Sequence, residues 1–325
     1  VFTSQKWFHV DNKVLLNGFI GKEGRQLQFN AGLGNRFDRF TSQQVITTSQ
    51  VYAPTGYVSF YHTTPDRNSI VSNYLTGELK KEALQPGAWE YKAATQFYFT
   101  GQYAGNFVLQ ASLGKELQKA QGSFIAGVKQ ALNSAPYSYT NYENAYTRNF
   151  YSFNTESVSR FYASVDSRKW LLSGGVNSYL VNNYIYINES RMPAQYTVPF
   201  SLSQAWVRKV FRAGHFYLDN ELIYQQVPGS APVNIPALMG RNQFSYEGNM
   251  FKNALKVAVG VQVRYNSSYA PAGYDAQLNR FYYQSKRTVA NTPEGAEFAN
   301  MRIKRFRGFI MADNLQQLFA TNAIL

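Results

Sequence analysis

Apolar and polar residues alternate strictly along the stretch from Leu255 to Tyr265. The odd positions are Leu, Val or Tyr throughout, whereas the even positions are Lys, Ala, Gly, Gln and Arg. A period of two predicts a β-strand whose two faces meet different surroundings. The apolar face continues for about eleven residues, the length that a tilted strand needs to cross a bilayer. The stretch 241–283 therefore predicts a membrane-spanning hairpin with its tight turn at Lys252 and Asn253.

The same alternation recurs along most of the chain. Clear examples run from Trp89 to Thr100, from Phe107 to Leu113 and from 216 to 224. Together the segments predict about fourteen strands of the length found in membrane barrels. Two polar segments break the pattern: residues 37–68 predict a long irregular loop, and residues 133–149 predict another, with a strand resuming near Phe150.

The predicted connections alternate in length along the chain. Short charged turns fall at 21–25, 81–88, 115–121, 166–169, 211–214, 251–254 and 305–308. Longer loops lie between them, with the small 101–104 connection as the exception in size. The pattern is typical of an up-and-down barrel with short periplasmic turns and long outer loops. A β-propeller would repeat with a blade period and a β-sandwich would not sort its loops by parity, so both fit less well. The predicted fold class is all-β, an antiparallel up-and-down transmembrane β-barrel.

Composition supports a membrane location. Charged residues make up only 16% of the 325 positions, compared with roughly 25% in an ordinary soluble domain. Tyr (25) and Phe (24) are in excess, and such rings suit a membrane–water interface. No apolar run reaches eighteen residues, which excludes helical spans, and a closed barrel is the other structure that satisfies every backbone group in lipid.

The net charge of +13 comes from Lys and Arg that are scattered along the chain without a run of four. Lipid head groups or acidic partners explain this charge as well as nucleic acid does. We expect outer-membrane lipid and lipopolysaccharide as surroundings, and other outer-membrane proteins or a homo-oligomer as candidate partners. We expect no nucleic-acid partner.

Basic residues on the polar faces of neighbouring predicted strands are the best functional signal. Rings of Lys or Arg are how pores favour anions. Alternatively, these residues pair with carboxylates across the lumen, or contact lipid phosphates at the rim. The pore-lining candidates are Lys256, Arg264, Arg302, Lys304, Arg208, Asp219 and Glu221.

Aromatic residues near strand ends predict girdles at the two membrane interfaces. The candidates are Trp89, Tyr98, Trp170, Trp206, Tyr224 and Tyr265. Stacking of a sugar substrate is the sharper alternative for such rings.

The sequence offers no chemistry for a metal, a cofactor or an enzyme. His9, His62 and His215 lie far apart and lack the spacing of metal ligands. No nucleophile elbow, P-loop or paired-carboxylate motif appears. We therefore predict no metal, no cofactor and no enzymatic activity.

Motifs in about the last ninety residues resemble one known family. They are RNQFSYE at 241–247, VRY at 263–265, RFYYQ at 280–284 and above all FANMRIKRFRGFIMADN at 298–314. These segments resemble the putative porin family of Bacteroidetes outer membranes. The resemblance implies a longer chain that carries a signal peptide and ends on a strand with an aromatic last residue. Because this chain ends Asn-Ala-Ile-Leu at 322–325, we expect residues 1–325 to form a single barrel domain that is incomplete at both ends.

The predicted function is a porin-like channel of the bacterial outer membrane, through which small polar or anionic solutes diffuse passively. Three alternatives stay open. The first is a non-conducting accessory or structural barrel within a larger outer-membrane assembly. The second is a barrel lipase or protease, which would need a Ser–His pair that the spacing of the histidines does not offer. The third is the barrel of a TonB-dependent transporter, which would need a plug domain and more strands.

Overall fold

The structure is a computed structural model. It describes residues 2–21, 26–52, 55–62, 66–82, 87–117, 121–143, 148–252, 254–276, 279–291 and 293–318. Parts of four predicted turns, at 22–25, 83–86, 118–120 and 253, lie outside the described residues, as do the terminal residues 322–325.

Nearly every described element is a β-strand. In chain order the elements are β1 (Phe2–Ile20), β2 (Leu27–Tyr52), β3 (Thr55–His62), β4 (Asp66–Lys81), β5 (Trp89–Tyr98), β6 (Phe107–Glu116), β7 (Gly122–Asn133), α1 (Tyr137–Thr140), β8 (Asn141–Glu143), β9 (Arg148–Phe150), β10 (Glu156–Ser167), β11 (Leu172–Asn182), β12 (Tyr184–Ile187), β13 (Pro193–Tyr196), β14 (Phe200–Ala213), β15 (Phe216–Gln226), β16 (Leu238–Met250), β17 (Leu255–Asn266), β18 (Gly273–Asp275), β19 (Arg280–Tyr282), β20 (Glu294–Ile303), β21 (Phe306–Ala312) and a 3-10 helix (Leu315–Leu318). None of the helical segments in these ranges has the length and apolarity that crossing a membrane requires.

Fourteen strands form one antiparallel path, in the order β1-β2-β4-β5-β6-β7-β10-β11-β14-β15-β16-β17-β20-β21. The predicted all-β, up-and-down antiparallel fold is confirmed. Connections at one end of the sheet are short, such as residues 214–215 between β14 and β15. At the other end they are longer and contain the small hairpins β8–β9, β12–β13 and β18–β19. Within the described residues β1 pairs with β2 alone and β21 with β20 alone, so the path is open.

The predicted loop at 37–68 is wrong. β2 continues through it for a total of 26 residues, and β3 folds back and pairs with residues 45–52 of β2. The period-2 signal fails here because a strand that extends past lipid needs no apolar face, while the backbone ladder still satisfies its polar groups. The segment 133–149 also contains structure, namely α1 and the hairpin β8–β9, and the next strand of the main path begins at Glu156.

Large apolar side chains stand exposed on one face of the sheet. In β17, Val259, Val261 and Val263 are 40%, 46% and 39% exposed, and Phe244 and Leu222 on the neighbouring strands belong to the same face. Soluble proteins rarely expose so large an apolar surface, whereas the lipid-facing side of a membrane barrel does. We call this side the outer face and the opposite, polar side the inner face.

The sheet curves around its inner face. Two segments of the long-loop end reach this face from different strands: Tyr137 of α1 stacks on Phe40 of β2, and Arg280 of β19 reaches β1. The Arg280 guanidinium donates to Gln5 Oε1 at 3.2 Å and to the Ser138 carbonyl at 2.9 Å. These contacts join parts of the chain that are 275 and 142 residues apart. The polar side chains therefore line a concavity that the long loops partly cover.

Candidate pore-lining and aromatic sites on the inner face

Strands β14, β15 and β16 carry paired charges on the inner face. The antiparallel register places Arg208 opposite Glu221, and Glu221 opposite Arg241. The Arg208 guanidinium donates to both carboxylate oxygens of Asp219, at 2.9 and 2.7 Å. Arg241 Nη2 lies 3.1 Å from Glu221 Oε2 and 3.6 Å from Asp219 Oδ2. Two-pronged Arg–carboxylate bonds fix geometry as well as charge, so these four side chains hold one another in place.

Three further cations of the inner face lie beyond this network. Lys256 and Arg264 are on β17, Arg302 is opposite Lys256 on β20, and all three are exposed. Among the described residues, none of the three forms a salt bridge with a carboxylate. The Gln262 amide, oriented with its oxygen toward Arg264, accepts hydrogen bonds of 2.6 and 2.8 Å from that guanidinium. These cations are therefore available to solutes in the concavity.

The structure places six of the seven predicted pore-lining residues on the inner face of neighbouring strands. Lys304 is the exception, because it occupies the short turn between β20 and β21 with φ of 51°, and its carbonyl accepts a hydrogen bond from Arg302 Nε at 3.3 Å. Lys304 therefore lies at the end of the sheet and not among the inner-face side chains of the strands. The role of the other six as lining of a pore stays a prediction.

Basic side chains outnumber acidic ones on the inner face from β14 to β21. The basic members are Arg208, Arg212, Arg241, Lys256, Arg264, Arg302 and Arg307. The acidic members are Asp219, Glu221, Glu247 and Glu294. We call this part of the sheet the charged region. Its electrostatic potential is positive, because basic residues remain even when every acidic residue is paired with a basic one.

The predicted girdle residues separate into two groups. Trp89 and Trp170 lie at the short-turn end, 39% and 62% exposed, and Tyr224 and Tyr265 lie on the outer face at the long-loop end. Tyr98 and Trp206 are placed on the inner face instead, where Tyr98 lies opposite Tyr74 and Trp206 shares its side of β14 with the charged residues. Side-chain parity, not nearness to a strand end, decides which face a residue joins.

Sequence analysis missed a buried carboxylate on β2. Asp38 has no exposed surface. It accepts hydrogen bonds from Trp7 Nε1 at 2.9 Å and from Arg36 Nε at 2.7 Å, and His9 Nδ1 lies 2.9 Å from it. The Arg36 guanidinium also lies over the Tyr103 ring, 4.7 Å from its centre. The alternation of polar residues along β1 was a usable signal, but Asp38 fell in the stretch predicted as a loop.

A second buried group supports the same cluster. The Tyr74 ring on β4 is fully buried, and its hydroxyl donates to Asp11 Oδ1 at 2.6 Å. Gly34 lies opposite Tyr74, and a Cβ added to it would come within 2.1 Å of the ring. Only glycine leaves room for the ring at this position. We call the inner face of β1, β2 and β4 the aromatic region.

Three rings stack at the upper end of the aromatic region. Trp7 and Phe40 are parallel within 4° with centres 6.1 Å apart, and Phe40 and Tyr137 are 23° from parallel with centres 4.3 Å apart. Cavities of about 290 and 400 Å³ adjoin this stack. Burial raises the pKa of Tyr103, which lies in the loop beside the larger cavity.

Long loops over the charged region bond to one another. The backbone N–H of Tyr283 donates to the Ile187 carbonyl at 2.8 Å, which joins the hairpins β18–β19 and β12–β13. The Ser285 hydroxyl and N–H donate to Glu189 Oε1 at 2.6 and 2.9 Å. These two bonds hold the pKa of the Glu189 carboxyl below its usual range. The Asn234 amide adds a bond of 2.8 Å to the Gln284 carbonyl.

Comparison with known proteins assigns this architecture to a family. The family described as Putative porin matches residues 2–324. The chain belongs to this family. No curated protein matches it.

Solved structures show the same fold in other outer-membrane proteins. The porin-family chain is similar to the ferric enterobactin receptor PfeA of Pseudomonas aeruginosa, with a TM-score of 0.62 and 12% identity over 97% of this chain and 48% of that one. It is similar to the copper transporter OprC, with a TM-score of 0.64 and 13% identity over 96% and 52%. It is also similar to BauA, the ferric preacinetobactin receptor of Acinetobacter baumannii, with a TM-score of 0.59 and 8% identity over 97% and 50%. The chain spans about half the length of these structures.

Family and fold together place this member of the porin family in the bacterial outer membrane. The apolar outer face meets lipid there, and the polar inner face lies on the opposite side of the sheet. Across the described ranges of the porin-family chain, no three His, Asp or Glu side chains gather in an arrangement that could hold a metal ion.

Proposed function

We propose that the protein forms an outer-membrane channel through which small polar solutes diffuse passively, with anions favoured over cations. One observation carries the proposal. Lys256, Arg264 and Arg302 stand on the inner face of adjacent strands and, among the described residues, form no salt bridge. Membership of the porin family supports the transport role.

The physical basis is the difference between paired and unpaired charge. The carboxylates of Asp219 and Glu221 offset the positive charges of Arg208 and Arg241. A passing ion therefore meets little net charge there. The unpaired cations raise the local concentration of anions and lower that of cations, because low-dielectric walls focus the field into the aqueous passage. Selectivity would then depend on β17 and β20 more than on β14 and β15.

The test is the reversal potential of the full-length protein in a planar bilayer under a KCl gradient. We expect an anion-selective current, and we expect Lys256→Glu combined with Arg264→Glu to move the reversal potential toward cation selectivity. Lys304→Glu combined with Arg305→Glu is the matched control, because it makes the same change of charge at a short turn. An equal shift in both variants would overturn the assignment of the inner-face cations.

A second candidate function is a non-conducting barrel that serves a larger assembly. The contacts of Arg280 with Ser138 and Gln5 favour it, since they carry a loop across the inner face. A folded, heat-modifiable protein that gives no current in the bilayer would support this alternative. Stable single-channel conductance would eliminate it.

A further inference from the structure

The indole of Trp7 is displayed in a fixed position at the long-loop end of the inner face. It is 61% exposed, yet its Nε1–H is bonded to the fully buried Asp38 and its ring is parallel to that of Phe40. An exposed aromatic ring normally keeps rotamer freedom. Here that freedom has been removed in advance, and the ordering cost that a ligand would otherwise meet is reduced.

The support beneath Trp7 is itself rigid. Asp38 is fixed by Arg36 and His9 as well as by the indole, and Phe40 is stacked between Trp7 and Tyr137. A single ring could pack there for stability alone. A carboxylate with three partners that presents an exposed indole is instead the arrangement of a preorganised binding surface.

The space beside the stack suits a small cyclic ligand. The two adjoining cavities measure about 290 and 400 Å³, and both are lined by Trp7, Phe40 and Tyr137. Ligand pockets commonly have volumes of ~300–1,000 Å³. The cavities therefore fit single rings or short chains of rings.

Polar side chains surround the aromatic wall. Amide, hydroxyl, carboxylate and guanidinium groups line the smaller cavity, and amide and guanidinium groups line the larger one. In the smaller cavity they include Gln5, Ser42, Asp66, Asn141 and Arg280, together with the ammonium group of Lys6. In the larger cavity they include Arg36, Gln96 and Asn106. Sugar hydroxyls both donate and accept, so a rim with donors and acceptors next to an aromatic plane matches a saccharide ring.

Other ligand classes fit the cavities less well. An organic cation would be attracted by the aromatic faces, but the smaller cavity carries two cations, Lys6 and Arg280, against the single carboxylate of Asp66. A wholly apolar molecule would desolvate the polar rim without satisfying it. We propose that Trp7, Phe40 and Tyr137 form a saccharide-binding subsite at the mouth of the inner face. The proposal goes beyond channel function, because sugar binding needs no current.

The experiment uses the full-length protein in LDAO micelles, since alkyl-glycoside detergents would present sugar head groups of their own. Maltotriose, cellotriose and xylotriose are the probes, and saturation-transfer NMR with titration measures binding. We expect at least one trisaccharide to bind, and Trp7→Leu to weaken its binding by about tenfold, the order of effect that the loss of one stacking ring has on a bound nucleobase. The matched control is Trp170→Leu, because Trp170 is 62% exposed at a short turn; it should leave binding unchanged.

A second measurement covers the case in which Trp7→Leu does not fold. Trp89, Trp170 and Trp206 are replaced with Phe, so that Trp7 is the single tryptophan. Its emission should shift on addition of the bound trisaccharide.

Three results would overturn the proposal: no binding of any trisaccharide, equal weakening by Trp7→Leu and Trp170→Leu, or binding of AMP at Trp7 without binding of the sugars. The outcome is separable from that of the bilayer test. A conducting protein that binds no sugar overturns the subsite alone, whereas a sugar-binding protein without current overturns the channel alone.

Discussion

The aromatic region and the charged region line the same inner face but use ion pairs in different ways. In the aromatic region Asp38 has no exposed surface and holds Trp7, Arg36 and His9. In the charged region the Arg208 and Asp219 side chains are 49% and 13% exposed, compared with 27% and 0% for Arg36 and Asp38. The Arg–Asp ion pair is therefore buried in the aromatic region and closer to solvent in the charged region.

Burial explains the difference. A carboxylate removed from water must keep all its partners, because losing one leaves an uncompensated polar group. An exposed pair can open at little cost, since water replaces the partner. The aromatic region is thus suited to holding a surface in place, and the charged region to responding to ions.

Removing the buried carboxylate should give the largest effect. We expect Asp38→Ala to lower the free energy of unfolding by about 3 kcal/mol, because Arg36 and the Trp7 indole lose their acceptor. The matched change Glu221→Ala should cost under ~1 kcal/mol, because its pair with Arg241 is partly exposed. Denaturant titration of refolded protein in LDAO micelles measures both. Equal losses would abolish the distinction between the two regions.

Adding one methyl group next to Tyr74 should give the second-largest loss of stability. Gly34→Ala would place a Cβ within 2.1 Å of the buried Tyr74 ring, and we expect a loss of about 2 kcal/mol from overpacking. Gly295→Ala on the outer face of β20 is the control, because the nearest atom to its new Cβ is the Leu315 Cβ at 3.6 Å. The same titration should show little change for this variant. A neutral result for Gly34→Ala would mean that Tyr74 moves freely.

Coupling between Arg208 and Asp219 should be small. A double-mutant cycle with alanine at both positions should give under ~1 kcal/mol, because the guanidinium is half exposed. The coupling should fall further between 0.1 and 1 M salt, as the Debye length shrinks from about 10 to about 3 Å. A coupling that salt leaves unchanged would show that the pair is shielded from solvent after all.

The smallest effect should come from acid. The pKa of Glu189 is lowered in the folded protein, so its bonds to Ser285 contribute above the ordinary value of 4.5 and are lost as the pH falls through the folded-state pKa. We expect the protection factor of the Ser285 amide, corrected for intrinsic exchange, to decrease as the pH falls through the folded-state pKa of Glu189. The Ser134 amide is the control, because its acceptor is the neutral Asn106 Oδ1 at 2.9 Å. Parallel decreases in both would indicate general unfolding.

The parts of the fold that cross lipid could be predicted, since lipid on one side and water on the other force a period of two. The same rule found the face of Lys256 and Arg264. It failed for β2 beyond the membrane, where neither face must be apolar, and so Asp38 was missed. Lys304 was misplaced because a left-handed turn residue leaves no mark on alternation. Tyr98 was assigned by position instead of parity.

The length of strand β2 determines how far the protein extends from the membrane. Its 26 residues span about 85 Å when extended, compared with a hydrocarbon thickness of about 30 Å. At a barrel's tilt of about 45° the strand still spans about 60 Å along the membrane normal, so the part that pairs with β3 extends beyond the outer leaflet. It would stand outside the bilayer as a paired ribbon. We expect an epitope tag inserted between β2 and β3 to be readable on intact cells.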